Sequence, residues 1–320
     1  MTRLQPKIVY SANYDIHFLG LERLHPFDSH KYSRAWNLLH KTWGKRLETI
    51  TLTPPCEVTR KELLMVHTPD YLTKIKSSRY VAQAVELPFV ALFPRFLVDR
   101  QLLAPMRLAT MGTLVAAEEA LRGGIAVNMS GGYHHASATR GEGFCIFSDI
   151  ALAIVHLRSK GLFKIGDKAL IIDLDVHQGN GHERIFLEDP NVVILDMYNK
   201  DIYPRDELAK RAITSDIPLF SGTEDELYLT TIRTRLPDFL DSVEPVRLAI
   251  YVAGTDIYER DVLGMLRVSE QGILERDRFV FHTLVERGIP FMMTLGGGYS
   301  QESYRLVANA VEYLLKTWAD

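Results

Sequence analysis

Short apolar runs separated by helical patterns recur along this chain, and they restrict its fold more than any other feature. Ile125-Ala126-Val127-Asn128, Ala169-Leu170-Ile171-Ile172, Val192-Val193-Ile194-Leu195, Leu248-Ala249-Ile250-Tyr251-Val252 and Phe291-Met292-Met293-Thr294-Leu295 read as buried strands. Lys7-Ile8-Val9-Tyr10 adds an opening strand. Helical patterns lie at about 106–121, 148–160, 224–239, 270–287 and 302–316. Parallel neighbours need long crossover connections, so strand and helix in alternation imply a parallel sheet with helices on both faces. No Gly/Ser/Pro linker divides the chain, and residues 1–320 are expected to form one domain.

The first third is less regular. Asp28 or Ser29 is expected to cap a helix running to about Leu39. Thr59 with Glu62 makes a capping box, and Pro69 suits the first position of another helix. Val85 to Pro105 carries Pro88, Pro94 and Pro105 among bulky apolar residues and reads as an irregular segment packed on the body. Gly123-Gly124 ends the helix before the Ile125 strand.

A 47% hydrophobic, 24% charged composition suits a sizeable core. A net charge of -3 gives no basic field for holding nucleic acid. The only cysteines, Cys56 and Cys145, make neither a disulfide framework nor a thiolate metal site. A reduced compartment is therefore expected, cytoplasmic or, in a eukaryote, also nuclear. Met1 to Lys7 has no signal-peptide core, and no apolar run reaches the ~20 residues of a membrane span.

Chemistry collects where the strands end. Asp173-Leu174-Asp175-Val176-His177 follows the Ala169 run. If the strand continues, alternation puts Asp173, Asp175 and His177 on one side. Two buried carboxylates need compensation, which a divalent cation supplies; the plainer reading is a strand end with solvated acids. Three more strand ends finish in glycines beside reactive side chains: Gly131-Gly132-Tyr133-His134-His135, Ala253-Gly254-Thr255-Asp256 and Gly296-Gly297-Gly298-Tyr299. Asp175, His177 and Asp256 make three ligands with a fourth position open, the arrangement of catalytic zinc, although Fe(II) or Mn(II) would also suit the donors. His134 and His135 can share general base and general acid duties. Asp173 is the candidate partner that orients one ring and Asn180 the other. Tyr299 can donate to an oxyanion. These parts describe metal-assisted hydrolysis of an amide or ester. No nucleophilic Ser, Cys or Lys motif is visible, and Glu259 and Asp261 lie off the strand, so a second metal is not expected and one metal ion per chain is.

The sequence resembles the zinc-dependent histone deacetylases over nearly its whole length. The likeness rests on Gly132-Tyr133-His134-His135-Ala136, Gly141-Glu142-Gly143-Phe144-Cys145, Ile171 to Glu183, Ala253 to Asp256 and Gly297-Gly298-Tyr299. Gly20 to Asp28, Gln178 to Arg184 and Asp196 to Pro204 resemble class IV in particular. The resemblance implies the arginase/deacetylase fold, with a central parallel sheet of about eight strands. It implies zinc on Asp175, His177 and Asp256, the pairs His134–Asp173 and His135–Asn180, and Tyr299 as oxyanion donor. It also implies a monovalent cation, usually potassium, near Asp173, Asp175, His177, Asp196 and Met197. Phe144 and Tyr203 would wall a narrow acyl tunnel, with Gly143, Gly297 and Gly298 beside them. Class IV relatives are associated with removing long-chain fatty acyl groups from lysine, with weaker activity on acetyl. An acyl-lysine protein or peptide is thus the expected substrate, with no direct nucleic-acid partner. Ser130 stands where many relatives carry glycine, and Lys31 replaces an inner-channel arginine of class I. No counterpart of the class I rim-loop aspartate that holds the peptide backbone is identified in Val85 to Asp99. The alternative is a small-molecule amidohydrolase such as an acetylpolyamine deacetylase, for which Glu22, Asp28 and Glu142 are candidate amine-binding acids.

Overall fold

The computed structural model describes residues 4–18, 20, 22 and 27–319. Leu21, Arg23, Leu24, His25 and Pro26 of the class IV-like Gly20 to Asp28 stretch lie outside the described residues. The strands are β1 (Lys7–Val9), β2 (Thr51–Leu52), β3 (Ile125–Asn128), β4 (Lys168–Asp173), β5 (Val192–Asn199), β6 (Ser215–Leu219), β7 (Val246–Ala253) and β8 (Phe291–Leu295). They form one sheet in the order β2-β1-β3-β8-β7-β4-β5-β6. Every pairing is parallel. β3, β5 and β8 are buried at every position, as a parallel sheet covered on both faces requires.

The edges depart from expectation. β2 has two residues and β6 reads Ser-Asp-Ile-Pro-Leu, neither of which is an apolar run. Pro218 lacks an amide hydrogen and is tolerated because β6 is an edge strand.

The helices lie around the sheet in two packed groups. Ala104–Gly123 lies on β1, β3 and β8 and against Asp149–Ser159. Asp225–Val243 packs on Glu270–Glu286, which meets Ser303–Trp318, which in turn meets Lys31–Trp43. The last of these helices starts after His30 rather than at Asp28 or Ser29; Asp28 Oδ1 instead accepts the His30 N–H at 3.0 Å. The capping box at Thr59 and Glu62 is present. Tyr71–Lys74 begins two residues beyond Pro69. Val85 to Pro105 is not irregular: it holds Pro88–Leu92, Arg95–Val98 and Asp99–Leu103 as successive helical turns. Its prolines sit at helix starts, where the missing amide hydrogen costs nothing.

Among the described residues, no helix is long and apolar enough to cross a membrane. The four strand ends that carry the reactive side chains belong to β3, β8, β7 and β4, which are adjacent in the sheet. Their carboxyl ends open together, where parallel α/β sheets bind ligands.

Candidate active site

β4 stops at Asp173, so strand alternation does not place the residues beyond it. Successive carboxylate-to-backbone turns do. Asp173 Oδ1 accepts the Asp175 N–H at 3.1 Å, and Asp175 Oδ1 accepts the His177 N–H at 3.0 Å. Asp256 Oδ1 accepts the Val176 N–H at 2.9 Å, tying the end of β7 to this loop.

These turns gather Asp175, His177 and Asp256, with one donor atom from each within 4.8 Å of the others. His177 Nδ1 lies 3.1 Å from Asp175 Oδ1 and 3.2 Å from Asp256 Oδ2. Two donors about 2.0–2.1 Å from a tetrahedral ion stand roughly 3.3 Å apart, so the spacing fits a zinc-sized cation. Asp256 Oδ2 is buried without a hydrogen-bond partner. Burial and the charge of Asp175 push the Asp256 carboxyl up to about 7. An anionic pocket with an orphaned oxygen is one a divalent cation would compensate.

Gly297 closes the triad. Its N–H donates to Asp175 Oδ2 at 2.5 Å, and a Cβ added there would fall 1.8 Å from Asp256 Oδ2. Gly297→Ala is therefore expected to weaken zinc affinity on the order of 10–100-fold, read by titration against a zinc-buffering chelator.

The loop after β3 presents both histidines. Gly132 takes φ 76°, and a Cβ there would meet the Leu295 carbonyl oxygen at 1.6 Å, so only glycine fits. Asp149 holds the loop, accepting the Gly132 N–H at 2.9 Å and the Tyr133 N–H at 2.8 Å. Ser130, the departure noted above, accepts through its carbonyl from Leu295 N–H and Thr294 Oγ1, joining the end of β3 to β8.

The two rings stand 4.1 Å apart. His134 Nδ1 lies 2.9 Å from Asp173 Oδ2, and His135 Nδ1 lies 2.8 Å from Asn180 Oδ1. Burial alone would pull both imidazoles down. At His134 the charges of Asp173 and Asp175 outweigh it and push the ring up to about 9. His135 has only an amide partner and lies near His134 and His177, so it is held well below the usual histidine range. Adjacent histidines thus differ in proton affinity through their partners.

Tyr299 N–H donates to Asp261 Oδ2 at 2.7 Å, while Asp261 Oδ1 accepts from Leu263 and Gly264. The Tyr299 ring lies 6.0 Å from His177, 5.7 Å from Phe144 and 6.1 Å from Phe27. Burial, with the nearby charges of Asp256 and Asp175, raises its phenol well above the usual value and keeps it protonated. Lys31 is buried beneath this loop and donates to the Gly296 carbonyl at 2.8 Å. Burial lowers its pKa to about 8 against the opposing charges of Asp256 and Asp175.

Gly143, Phe144, Gly297 and Tyr299 line a pocket with about 750 Å³ of empty space, open mouth included. Ile16, Val85, Leu87, Leu102 and Met106 add apolar lining to the same pocket, alongside Glu22, Ser29, His134 and His135. Tyr203 and Gly298 do not line it. Tyr203 is 42% exposed and packs edge-on to His135 at 5.2 Å, and a Cβ on Gly298 would point at Thr255 and Ser303. The rim acids are already engaged. Glu22 accepts the Phe18 and Gly20 N–H groups, Asp28 pairs with Arg34, and Glu142 accepts from Asn180 and pairs with Arg140.

Asp149 and Asp261 were not singled out as site residues by the sequence. Both act by accepting backbone N–H groups from distant loops, which leaves no local pattern. The sole hint is that Asp149 falls at a helix start.

Residues 25–316 match the histone deacetylase domain model. Histone deacetylase 2 of Arabidopsis thaliana is 44% identical over 307 residues, covering 96% of this chain and 78% of that protein. Acetoin utilization protein AcuC of Bacillus subtilis is 29% identical, covering 94% and 79%. Among solved structures, the HDA15 HD domain superposes with a TM-score of 0.76 at 20% identity, over 98% of this chain and 89% of that one. The chain belongs to the histone deacetylase domain family, and its sheet is that of the arginase/deacetylase fold.

Proposed function

We propose that this chain is a zinc-dependent protein-lysine deacylase, acting as one domain over residues 1–320. The observation that carries the reading is the convergence of Asp175, His177 and Asp256 beside the His134–His135 pair. A zinc ion on that triad would act as a Lewis acid on the amide carbonyl and its attacking water. His135, kept neutral by burial and by its uncharged partner, is poised to take a proton at Nε2. His134, held through Nδ1 by the Asp173 carboxylate, is poised to deliver one to the leaving lysine amine. Tyr299, still protonated, donates to the carbonyl oxygen as charge develops.

Ile16, Val85, Leu87, Leu102 and Met106 in the pocket lining favour a long acyl chain over acetyl, which is also what a class IV assignment would imply. Glu22, Asp28 and Glu142 are occupied by protein partners, which leaves the acetylpolyamine alternative without an amine-binding acid among them. Potassium near Asp173, Asp175, His177, Asp196 and Met197 is supported by the Asp173–Asp196 pairing across β4 and β5 and by buried Asp196 Oδ1, which has no partner. Two free cysteines fit a reduced, cytoplasmic or nuclear setting.

An acyl series from acetyl to palmitoyl on one lysine peptide tests the reading. kcat/KM is expected to rise with chain length and to vanish on chelation. A maximum at acetyl overturns the long-chain preference alone. No release from any chain by the zinc-loaded protein overturns the deacylase.

A further inference from the structure

We propose that Asp15, His17 and His30 form a second divalent-cation site, separate from the catalytic triad and set against the outer side of the pocket wall. One donor atom from each residue lies within 4.8 Å of the others.

The local chain explains the grouping. Asp15 follows the helical turn Ala12–Tyr14 in extended conformation. Asp15 and His17 line a surface groove, while Ile16 between them lines the catalytic pocket. His30 precedes the helix Lys31–Trp43 and brings its ring to 4.6 Å from that of His17. Asp15 is 5% exposed. Its Oδ1 accepts the Ser33 N–H at 3.2 Å, and its Oδ2 faces His30 Nδ1 at 3.4 Å. That separation is long for a hydrogen bond, which prefers about 2.7–3.2 Å. It matches the roughly 3.3 Å between two donors on a tetrahedral zinc ion.

The opposite nitrogen of His30 strengthens the case. His30 Nε2 lies 3.5 Å from Glu22 Oε1. Glu22 is itself fixed, because Oε2 accepts the Phe18 N–H at 2.8 Å and the Gly20 N–H at 2.9 Å. At that distance Glu22 is a carboxylate neighbour on the far side of the His30 ring, and metal-binding histidines recur with a carboxylate behind them. Two imidazoles and one carboxylate select a borderline ion of the zinc class over calcium or magnesium, with a fourth position left for solvent.

The site couples to the pocket through the chain itself. Ile16, Glu22, Phe27 and Ser29 wall the catalytic pocket, and Ser29 Oγ donates to the Ile16 carbonyl at 3.0 Å. A cation joining Asp15 and His17 to His30 cross-links both ends of this segment and holds the wall that the acyl chain meets.

Zinc per chain, measured by mass spectrometry on full-length protein equilibrated in chelator-buffered zinc, tests the proposal. Wild type is expected to bind two equivalents. His17→Ala and His30→Ala are each expected to bind one, as is Asp175→Asn, which empties the other site. His17 is exposed, so His17→Ala leaves the fold intact, as circular dichroism would verify. A single equivalent in wild type, unchanged in His17→Ala and His30→Ala, overturns the proposal and leaves His30 as a bridge between two carboxylates. Loss in the histidine variants with none in Asp175→Asn would instead count against the catalytic triad.

Discussion

Tyr299→Phe is expected to slow kcat by ~10²–10³-fold while zinc content and KM for an acyl-lysine peptide stay near wild type. The substitution removes only the hydroxyl. The ring keeps its packing against Phe144 and Phe27, and the backbone keeps its hydrogen bond to Asp261. The lost group is a donor that buried, anionic surroundings hold protonated. Its partner, the developing oxyanion, exists only during the reaction, so the loss falls on the rate and not on substrate binding. Single-turnover kinetics on zinc-loaded protein would check this. Equal rates in variant and wild type would remove Tyr299 from the chemistry.

Asp175→Asn and Asp173→Asn are expected to fail in different ways, although only one residue separates them. Asp175 supplies one oxygen to His177 and the triad and another to the Gly297 N–H. An amide there removes an anionic ligand, so bound zinc should fall with activity. Asp173 faces His134. Its conversion to asparagine should leave zinc near one equivalent at the catalytic site and cost ~10²–10⁴-fold in rate, the range of a lost acid–base group. Metal analysis on both proteins decides, and equal zinc loss would refute the division of labour.

Strands buried on both faces were legible because they are unbroken apolar runs; β3 and β8 have the bounds their sequences suggest. β6 was not legible, because its residues alternate between buried and exposed and include a proline. Its pairing with β5 supplies the order that its own composition lacks. The prolines between Val85 and Pro105 make that segment read as irregular, yet they start helical turns; the same fixed φ serves loops and helix starts, and the neighbouring packing chooses. At the site, residue types and spacing pointed to the triad and the histidine pair. The means of bringing them together differed, since strand alternation ends at Asp173 and carboxylate turns take over. Asp149 and Asp261 were silent because a side chain that caps a remote loop looks like any surface acid until the loops are in place.

The strand order also bears on how the protein is made. β3 and β4 follow one another in sequence but are separated in the sheet by β8 and β7, the last two strands of the chain. A ribosome therefore delivers the histidine loop and the Asp173–His177 loop long before the pieces that belong between them. Until Val246–Ala253 and Phe291–Leu295 emerge and insert, two sheet fragments must wait with open inner edges. Asp256 arrives with the same late insertion, so the metal triad cannot close on a partly synthesised chain. Such long-range pairing is slow and exposes unpaired edges. The protein's dependence on assistance during synthesis should concentrate in that interval.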